Sequence, residues 1–122
     1  MGDVCPCGTG RPFDMCCGSL ISGRDKACTA EQLMRSRYSA YVKKEVDYLV
    51  KTTYPKSRVP ELAQSIADWM ERVTWIRLLI LKTDATTVDF VAEYMADGSA
   101  RHHRERSAFK LYKGEWFYVG EA

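Results

Sequence analysis

Residues 5–17 read CPCGTGRPFDMCC, and they hold four of the five cysteines in the 122-residue chain. The spacing is C-x-C, eight further residues and C-C, so each pair can present two sulfurs to one small ion. Zinc takes four thiolates at about 2.3 Å, and such a closed site is structural rather than catalytic. Gly8 and Gly10 permit a tight turn that brings backbone N–H groups toward the sulfurs. The pattern predicts one structural zinc ion, with the ligands Cys5, Cys7, Cys16 and Cys17.

Two alternatives use the same four thiols. A pair of disulfides requires an oxidising compartment, but residues 1–7 lack the basic region and the apolar stretch of a secretory signal. An iron–sulfur cluster also takes four cysteines, although this segment is short and closed. No C-x-x-C redox pair is present. Cys28 lies eleven residues further on, just before a predicted helix, and we expect it to be a small, half-buried residue.

The composition is that of an ordinary globular protein with one main domain, since 46% of the residues are hydrophobic and 28% are charged. No apolar run approaches the ~20 residues that a membrane helix needs, and we expect the protein to be cytoplasmic. The 18 Lys and Arg are nearly balanced by 16 Asp and Glu. A nucleic-acid partner is therefore unexpected, because such proteins usually carry a strong basic excess.

Sequence patterns predict helices first and strands afterwards. Thr29 and Gln32 form a capping-box pattern, so a helix should begin at Ala30. A second short helix, or a continuation of the first, should end near Tyr54-Pro55. Pro60 suits the first turn of a further helix. That helix is expected to pass through Leu62, Ile66 and Trp69 to about Met70.

Four strands are expected in the second half of the chain, because branched and aromatic residues alternate there between turn signals. They should cover Trp75–Leu81, Thr87–Met95, about Arg101–Tyr112 and Trp116–Val119. The turns between them should lie at Asp84–Thr86, Asp97-Gly98 and Lys113-Gly114. The order predicts an α+β domain with an antiparallel meander. Residues 18–26 read as a short linker, so we expect the cysteine segment to pack on this domain.

Several stretches resemble known families. CPCGTGRPFDMCC resembles the SEC-C motif, the zinc-binding segment also found at the C-terminus of the SecA translocation ATPase. TAEQLMRSRYSAY, the strand around Trp75, ERSAF and GEWFYV resemble the YchJ-like family of uncharacterised bacterial proteins. The resemblance implies a SEC-C zinc knuckle at residues 1–20. It also implies a nuclear transport factor 2-like (NTF2-like), cystatin-like domain at residues 27–122, in which helices pack on a bent antiparallel sheet.

Domains of this fold commonly enclose a pocket, and one predicted strand offers a candidate for it. Alternation along the strand puts four residues on one face, namely Glu105, Ser107, Phe109 and Leu111. Phe109 and Leu111 mark that face as the core side, so Glu105 points inward, where an unpaired carboxylate is costly. We hypothesise that Arg35 or Arg37, on the two flanks of the first helix's buried stripe, pairs with Glu105. The pair either recognises an anion or small molecule or only fixes the helix on the sheet.

The remaining candidates add little chemistry. Tyr41 and Trp75 are further candidates for the pocket wall, although aromatic residues in such elements are usually core. His102 and His103 are adjacent on a strand and face opposite ways, so they cannot act together, and we expect both at the surface. No phosphate loop, nucleophile elbow or H-E-x-x-H motif is present.

Two classes of function follow. The favoured one is a protein-interaction or adaptor module that docks on another protein through its knuckle, where Arg11, Phe13 and Met15 should form an exposed contact surface. The resemblance supports docking, since the SEC-C segment of the translocation ATPase contacts a chaperone and acidic lipid heads. The alternative is a small-molecule-binding protein or an enzyme. An open cavity holding Glu105 and an arginine would favour the alternative, whereas a cavity filled by aromatic side chains would favour the adaptor.

Overall fold

Four helices precede four strands in the computed structural model, which describes residues 3–122. The helices are α1 (Cys17–Ile21), α2 (Ala30–Lys43), α3 (Val46–Lys51) and α4 (Leu62–Arg72). The strands are β1 (Val73–Thr83), β2 (Thr87–Ala96), β3 (Ser99–Tyr112) and β4 (Glu115–Glu121). Short 3-10 turns occupy Phe13–Met15 and Pro55–Ser57. The sheet is an antiparallel meander in the order β1-β2-β3-β4, and the predicted α+β class is confirmed.

Helix α2 begins where the capping pattern predicts. The Thr29 hydroxyl accepts a hydrogen bond from the backbone N–H of Gln32 at 3.1 Å. The Gln32 side chain accepts from the N–H of Cys28 at 2.7 Å, one residue earlier than in a standard capping box. The helix ends at Lys43, and the next residue, Lys44, has a left-handed φ of 61°, so α3 is a separate helix.

The two tight turns of the sheet also lie where they are predicted. Asp97-Gly98 and Lys113-Gly114 have positive φ at both positions, as two-residue hairpins of the favoured hand require. Register shifts interrupt the β1–β2 pairing twice and the β3–β4 pairing once. Such irregularities bend a strand and increase its twist, which suits a sheet that curves around helices.

The main core lies between α2 and the inner face of the sheet. Its buried residues are Ala30, Leu33, Met34, Tyr38, Leu78, Val88, Phe90, Ala92 and Phe109. Leu111, which we expected on the core side together with Phe109, is instead 56% exposed. The reason is its position two residues before the Lys113-Gly114 turn, at the margin of the sheet.

The predicted linker is partly helical. Its first residues belong to α1, and the predicted knuckle boundary at residue 20 falls inside this helix. Leu20 and Ile21 pack against a second cluster formed by α2, α3 and α4, so α1 is attached to the helical layer. Within residues 3–122, no helix has the length and apolar character needed to cross a membrane.

Candidate metal centre and aromatic cavity

The four N-terminal cysteines converge on one point. All four sulfurs lie within 4.8 Å of one another, and Cys7 Sγ is 3.7 Å from Cys16 Sγ. A tetrahedral site with metal–sulfur bonds of ~2.3 Å has sulfur–sulfur edges of about 3.8 Å. Three of the cysteines are buried, Cys16 is half-buried, and all are free of disulfides. The arrangement can therefore hold one metal ion.

The chain around the cysteines forms a closed loop. Val4 bridges to Pro12, and the N–H of Cys5 donates to the carbonyl of Arg11 at 2.8 Å. Gly8 has a φ of +91°, a left-handed conformation that glycine adopts at no steric cost. The next residue, Thr9, places its hydroxyl 3.3 Å from Cys16 Sγ and 3.6 Å from Cys7 Sγ. Such contacts orient the ligands of a metal site.

The thiols are electrostatically coupled. A hydrogen bond from the Cys17 thiol lowers the pKa of Cys7 to about 4. The same contact, together with burial, raises the pKa of Cys17, and burial raises the pKa of Cys16. In such a cluster, one thiolate disfavours the ionisation of its neighbouring thiols, because like charges repel each other. All four thiols can be deprotonated at these distances only if a cation balances their charge, and a metal ion bound by thiolates supplies that charge.

Side chains of helix α2 hold the cysteine loop in place. Arg35 Nη1 donates to the carbonyl of Cys7 at 2.7 Å, and its Nε donates to Glu31 at 2.9 Å. The Ser39 hydroxyl lies 3.4 Å from Cys5 Sγ. The loop is thus fixed to one face of α2.

Two expectations about residues near this centre are wrong. Phe13 is half-buried rather than exposed, because its ring packs on the cysteine cluster and lies 4.8 Å from Lys43 Nζ. Cys28 is exposed rather than half-buried, since it precedes the first residue of α2 and no element covers it. Met15 is 65% exposed, and Arg11 is exposed as expected.

A cavity of about 450 Å³ opens between the helices and the inner face of the sheet. Its aromatic wall consists of Tyr38, Tyr41, Trp69, Trp75, Phe90 and Tyr94. Trp75 is the centre of this wall, since four of the other rings lie 5.6 to 6.4 Å from its own. Its indole N–H is buried and has no hydrogen-bond partner among residues 3–122. The volume falls within the range of small-molecule sites, ≈ 300–1,000 Å³.

The polar part of the cavity wall is organised around Glu105. The carboxylate accepts hydrogen bonds from the hydroxyls of Ser107 and of Tyr118, the latter at 3.2 Å. Its other oxygen lies 3.0 Å from His103 Nε2. Burial, followed by the charge of Glu105, raises the pKa of Tyr118 to about 12, so Tyr118 is a donor at neutral pH.

Arg37 lines the same cavity, but it does not form the predicted ion pair with Glu105. Its Nη1 donates to the carbonyl of Leu49 at 2.9 Å and to the Thr52 hydroxyl at 2.7 Å. Its guanidinium carbon lies 4.5 Å from the centre of the Tyr118 ring. Tyr118 therefore stands between the arginine and the carboxylate.

Arg35 is not part of the cavity, because it turns toward Cys7 and Glu31. The alternative in which Arg35 pairs with Glu105 is wrong. The structure brings together the other four candidates, Arg37, Tyr41, Trp75 and Glu105. The helical wheel placed both arginines at the edge of the buried stripe, and it carried no information about which flank would face the cysteine loop.

Several cavity residues were missed by sequence reasoning. His103 is exposed, as expected, but it also lines the cavity and contacts Glu105. The signal was present, because residues 103, 105 and 107 share one face of a strand. Tyr118 is positioned at the site by the β3–β4 hairpin and by its backbone hydrogen bonds to Thr52 and Tyr54. No local sequence pattern predicts these two hydrogen bonds.

Known proteins resemble the chain over nearly its whole length. Residues 29–121 match the family described as "YchJ, middle NTF2-like domain". The UPF0225 protein GSU1048 of Geobacter sulfurreducens is 39% identical over 126 residues, which cover 98% of this chain and 78% of that protein. A UPF0225 protein of Haemophilus influenzae is 36% identical over 124 residues, with the same two coverages.

Two solved structures have a similar fold. The solution structure of RPA3114, a SEC-C motif containing protein from Rhodopseudomonas palustris, has a TM-score of 0.84 and 34% identity, covering 100% of this chain and 98% of that chain. The crystal structure of a SEC-C motif containing protein from Psychrobacter arcticus has a TM-score of 0.74 and 25% identity, covering 96% and 80%.

Fold and site together define an NTF2-like α+β protein with an N-terminal four-cysteine segment that can hold a metal. The chain belongs to the YchJ-like family, whose relatives are UPF0225 proteins. The predicted family and fold class are confirmed.

Proposed function

We propose that this protein binds a small molecule in its aromatic cavity. The observation that carries the proposal is a cavity of about 450 Å³ that holds both Arg37 and Glu105. This is the arrangement that favours small-molecule binding over an adaptor role. Tyr38, Tyr41 and Trp75 line the cavity without filling it.

The aromatic side chains of the cavity wall favour binding of an apolar or aromatic part of a ligand. Apolar surface removed from water contributes roughly 25 cal/mol per Å², and large aromatic rings supply much area at a small entropic cost. The polar groups at one end give orientation and specificity, as they do in typical ligand sites.

Filling the cavity tests this function. Ala92 lies on the wall, so Ala92→Leu should occupy the ligand's space. The control is Ala100→Leu, the same change at an exposed position of β3. The probe is the neutral dye N-phenyl-1-naphthylamine, followed by its own fluorescence and by the tryptophan fluorescence of the protein, to which Trp69 and Trp75 of the wall contribute. Ala92→Leu should weaken dye binding by about tenfold (1.4 kcal/mol) or more, and Ala100→Leu should leave it unchanged.

Circular dichroism melting curves must show that both variants are folded. Equal dye binding by wild type and by folded Ala92→Leu would contradict the proposal, and so would a wild-type protein that binds no dye.

We further propose that the metal of the four-cysteine centre is zinc. Four thiolates in a closed tetrahedral set are a zinc site of the structural type. When bound, zinc would cross-link the loop and would perform no chemistry, because no ligand position is left open. Cys5, Cys7, Cys16 and Cys17 would hold it, and Thr9 would orient two of the sulfurs.

An adaptor role is the second candidate. Val4 and Met15, on the cysteine loop, are each 65% exposed, and exposed apolar residues of this kind can form part of a protein contact. The partner would be another protein. Loss of a partner with Met15→Ser, while dye binding is unchanged, would support this role over the cavity function.

A further inference from the structure

The cavity contains a buried cation, Arg37, that has no carboxylate in direct contact among residues 3–122. Arg37 is only 7% exposed, and no Asp or Glu among residues 3–122 forms an ion pair with it. Burial lowers the pKa of Arg37, yet an arginine remains charged in proteins. A buried charge is costly unless it is paired.

Only part of this cost is met by the protein. Nη1 donates to Leu49 O, Thr52 Oγ1 and Thr53 Oγ1, at 2.9, 2.7 and 3.3 Å. These acceptors lie at the C-terminal end of α3 (Val46–Lys51), where the helix dipole favours a positive charge. The Tyr118 ring adds a cation–π contact at 4.5 Å. All of these groups are neutral.

The other two guanidinium nitrogens of Arg37, Nε and Nη2, donate no hydrogen bond within the described chain, residues 3–122. In that range, Trp75 Nε1 is the one fully buried side-chain N or O atom that lacks a partner. Nε and Nη2 therefore retain accessible surface, and the cavity is the space that Arg37 lines.

We propose that the cavity binds small aromatic carboxylic acids, whose carboxylate pairs with Nε and Nη2 of Arg37. The fork of these two N–H groups matches the two oxygens of a carboxylate. The aromatic body of the ligand would lie against Trp69, Trp75 and Tyr94. This ligand class rests on the proposed function, since it requires that the cavity accept a ligand.

Glu105 opposes an anion, but its effect is the smaller one. Coulomb energy falls with distance, and a carboxylate in contact with Arg37 would be separated from Glu105 by the Tyr118 phenol. The Glu105 charge is also held by Ser107, by Tyr118 and beside His103. Glu105 would favour ligands with a single negative charge, because a second negative charge on the ligand would be repelled by the Glu105 carboxylate.

Two matched probes test the ligand class on the unaltered protein. 2-Naphthoate and 2-naphthamide have nearly the same shape and differ by one charge. Titrations followed by tryptophan fluorescence should show naphthoate binding about tenfold more tightly or better. Equal binding, or tighter binding of the amide, would overturn the carboxylate assignment while leaving cavity binding intact. If neither probe nor the neutral dye binds, the proposed function itself fails.

Variants then test the residue. Arg37→Gln should abolish the preference for naphthoate over naphthamide, and Arg37→Lys should keep only part of it because the fork is lost. Arg77→Gln is the control, since Arg77 is exposed and pairs with Glu93 on the sheet. A preference that survives in folded Arg37→Gln would overturn the assignment.

Arg37 also holds α3, so its replacement can impair folding, and Glu105→Gln provides an independent test. Removing this negative charge should tighten naphthoate binding severalfold and leave naphthamide binding nearly unchanged. Weaker naphthoate binding in folded Glu105→Gln would contradict the proposal.

Discussion

A methyl group at position 18 would lie 2.7 Å from the carbonyl oxygen of Phe13 and 3.0 Å from its ring. The absence of a side chain at Gly18 lets the Phe13–Met15 turn pack directly on α1. This packing sets the positions of Cys16 and Cys17, which lie between the turn and the helix. The close packing at Gly18 therefore lies directly beside the second cysteine pair.

At this scale we predict that Gly18→Ala weakens metal binding. Alanine normally stabilises a helix by roughly 0.5–1 kcal/mol relative to glycine, but here the added methyl must displace a backbone oxygen. Metal release to a chelator should become at least several times faster. Ser65→Ala is the control, because Ser65 is an exposed residue of α4. Unchanged release from Gly18→Ala would show that the turn can move without disturbing the sulfurs.

Helix α2 is the element that both sites share. Arg35 and Ser39 contact the cysteine loop, whereas Arg37, Tyr38 and Tyr41 line the cavity. Helical spacing separates the two sets, so one element positions the cysteine loop on one side and the cavity wall on the other.

At the scale of this element, Arg35→Gln should loosen the cysteine loop and leave the α+β domain intact. The change removes the bond to the Cys7 carbonyl and the pair with Glu31. Metal release to a chelator should be faster by about tenfold, since a hydrogen bond from a charged donor contributes ~1.5–3 kcal/mol. The midpoint of thermal unfolding should change little. Arg77→Gln again provides the control, and equal release rates in both variants would refute the role of Arg35.

Local sequence patterns predicted the helices, strands and turns well, but they did not predict contacts between residues that are distant in sequence. The cap at Thr29 and the turns at Asp97-Gly98 and Lys113-Gly114 depend on neighbouring residues, so the sequence contains their signal. The partners of Arg37 depend on how α2 packs on α3 and on β4, and the contact with β4 joins residues that are far apart in sequence. Leu111 shows a second limit, because alternation assigns a residue to a face of the sheet but does not say where the core ends.

The molecule combines a hydrophobic core with a cysteine loop that can hold a metal ion. The main core contains no residue of the cysteine loop. Leu20 and Ile21 nevertheless connect α1 to the cluster formed by α2, α3 and α4. The effect of metal loss should therefore extend along the chain as far as α1.

At this scale we predict about one zinc per chain on metal analysis, and a local effect of its removal. After chelation, hydrogen exchange should become faster in residues 3–21, while the strands keep their protection because their core is intact. Loss of protection in the strands would show that the metal supports the entire fold. Purified protein that contains iron, or that has no metal and four reactive thiols, would contradict the zinc assignment.

The shared helix has a thermodynamic consequence. If occupation of the cavity shifts α2 even slightly, it changes the affinity of the cysteine loop for its metal, and linkage makes the effect reciprocal. The factor by which a ligand alters metal affinity must equal the factor by which the metal alters ligand affinity. Measuring one of these constants in the presence and absence of the other component therefore yields both, and a ratio of one would mean that α2 keeps the two sites independent.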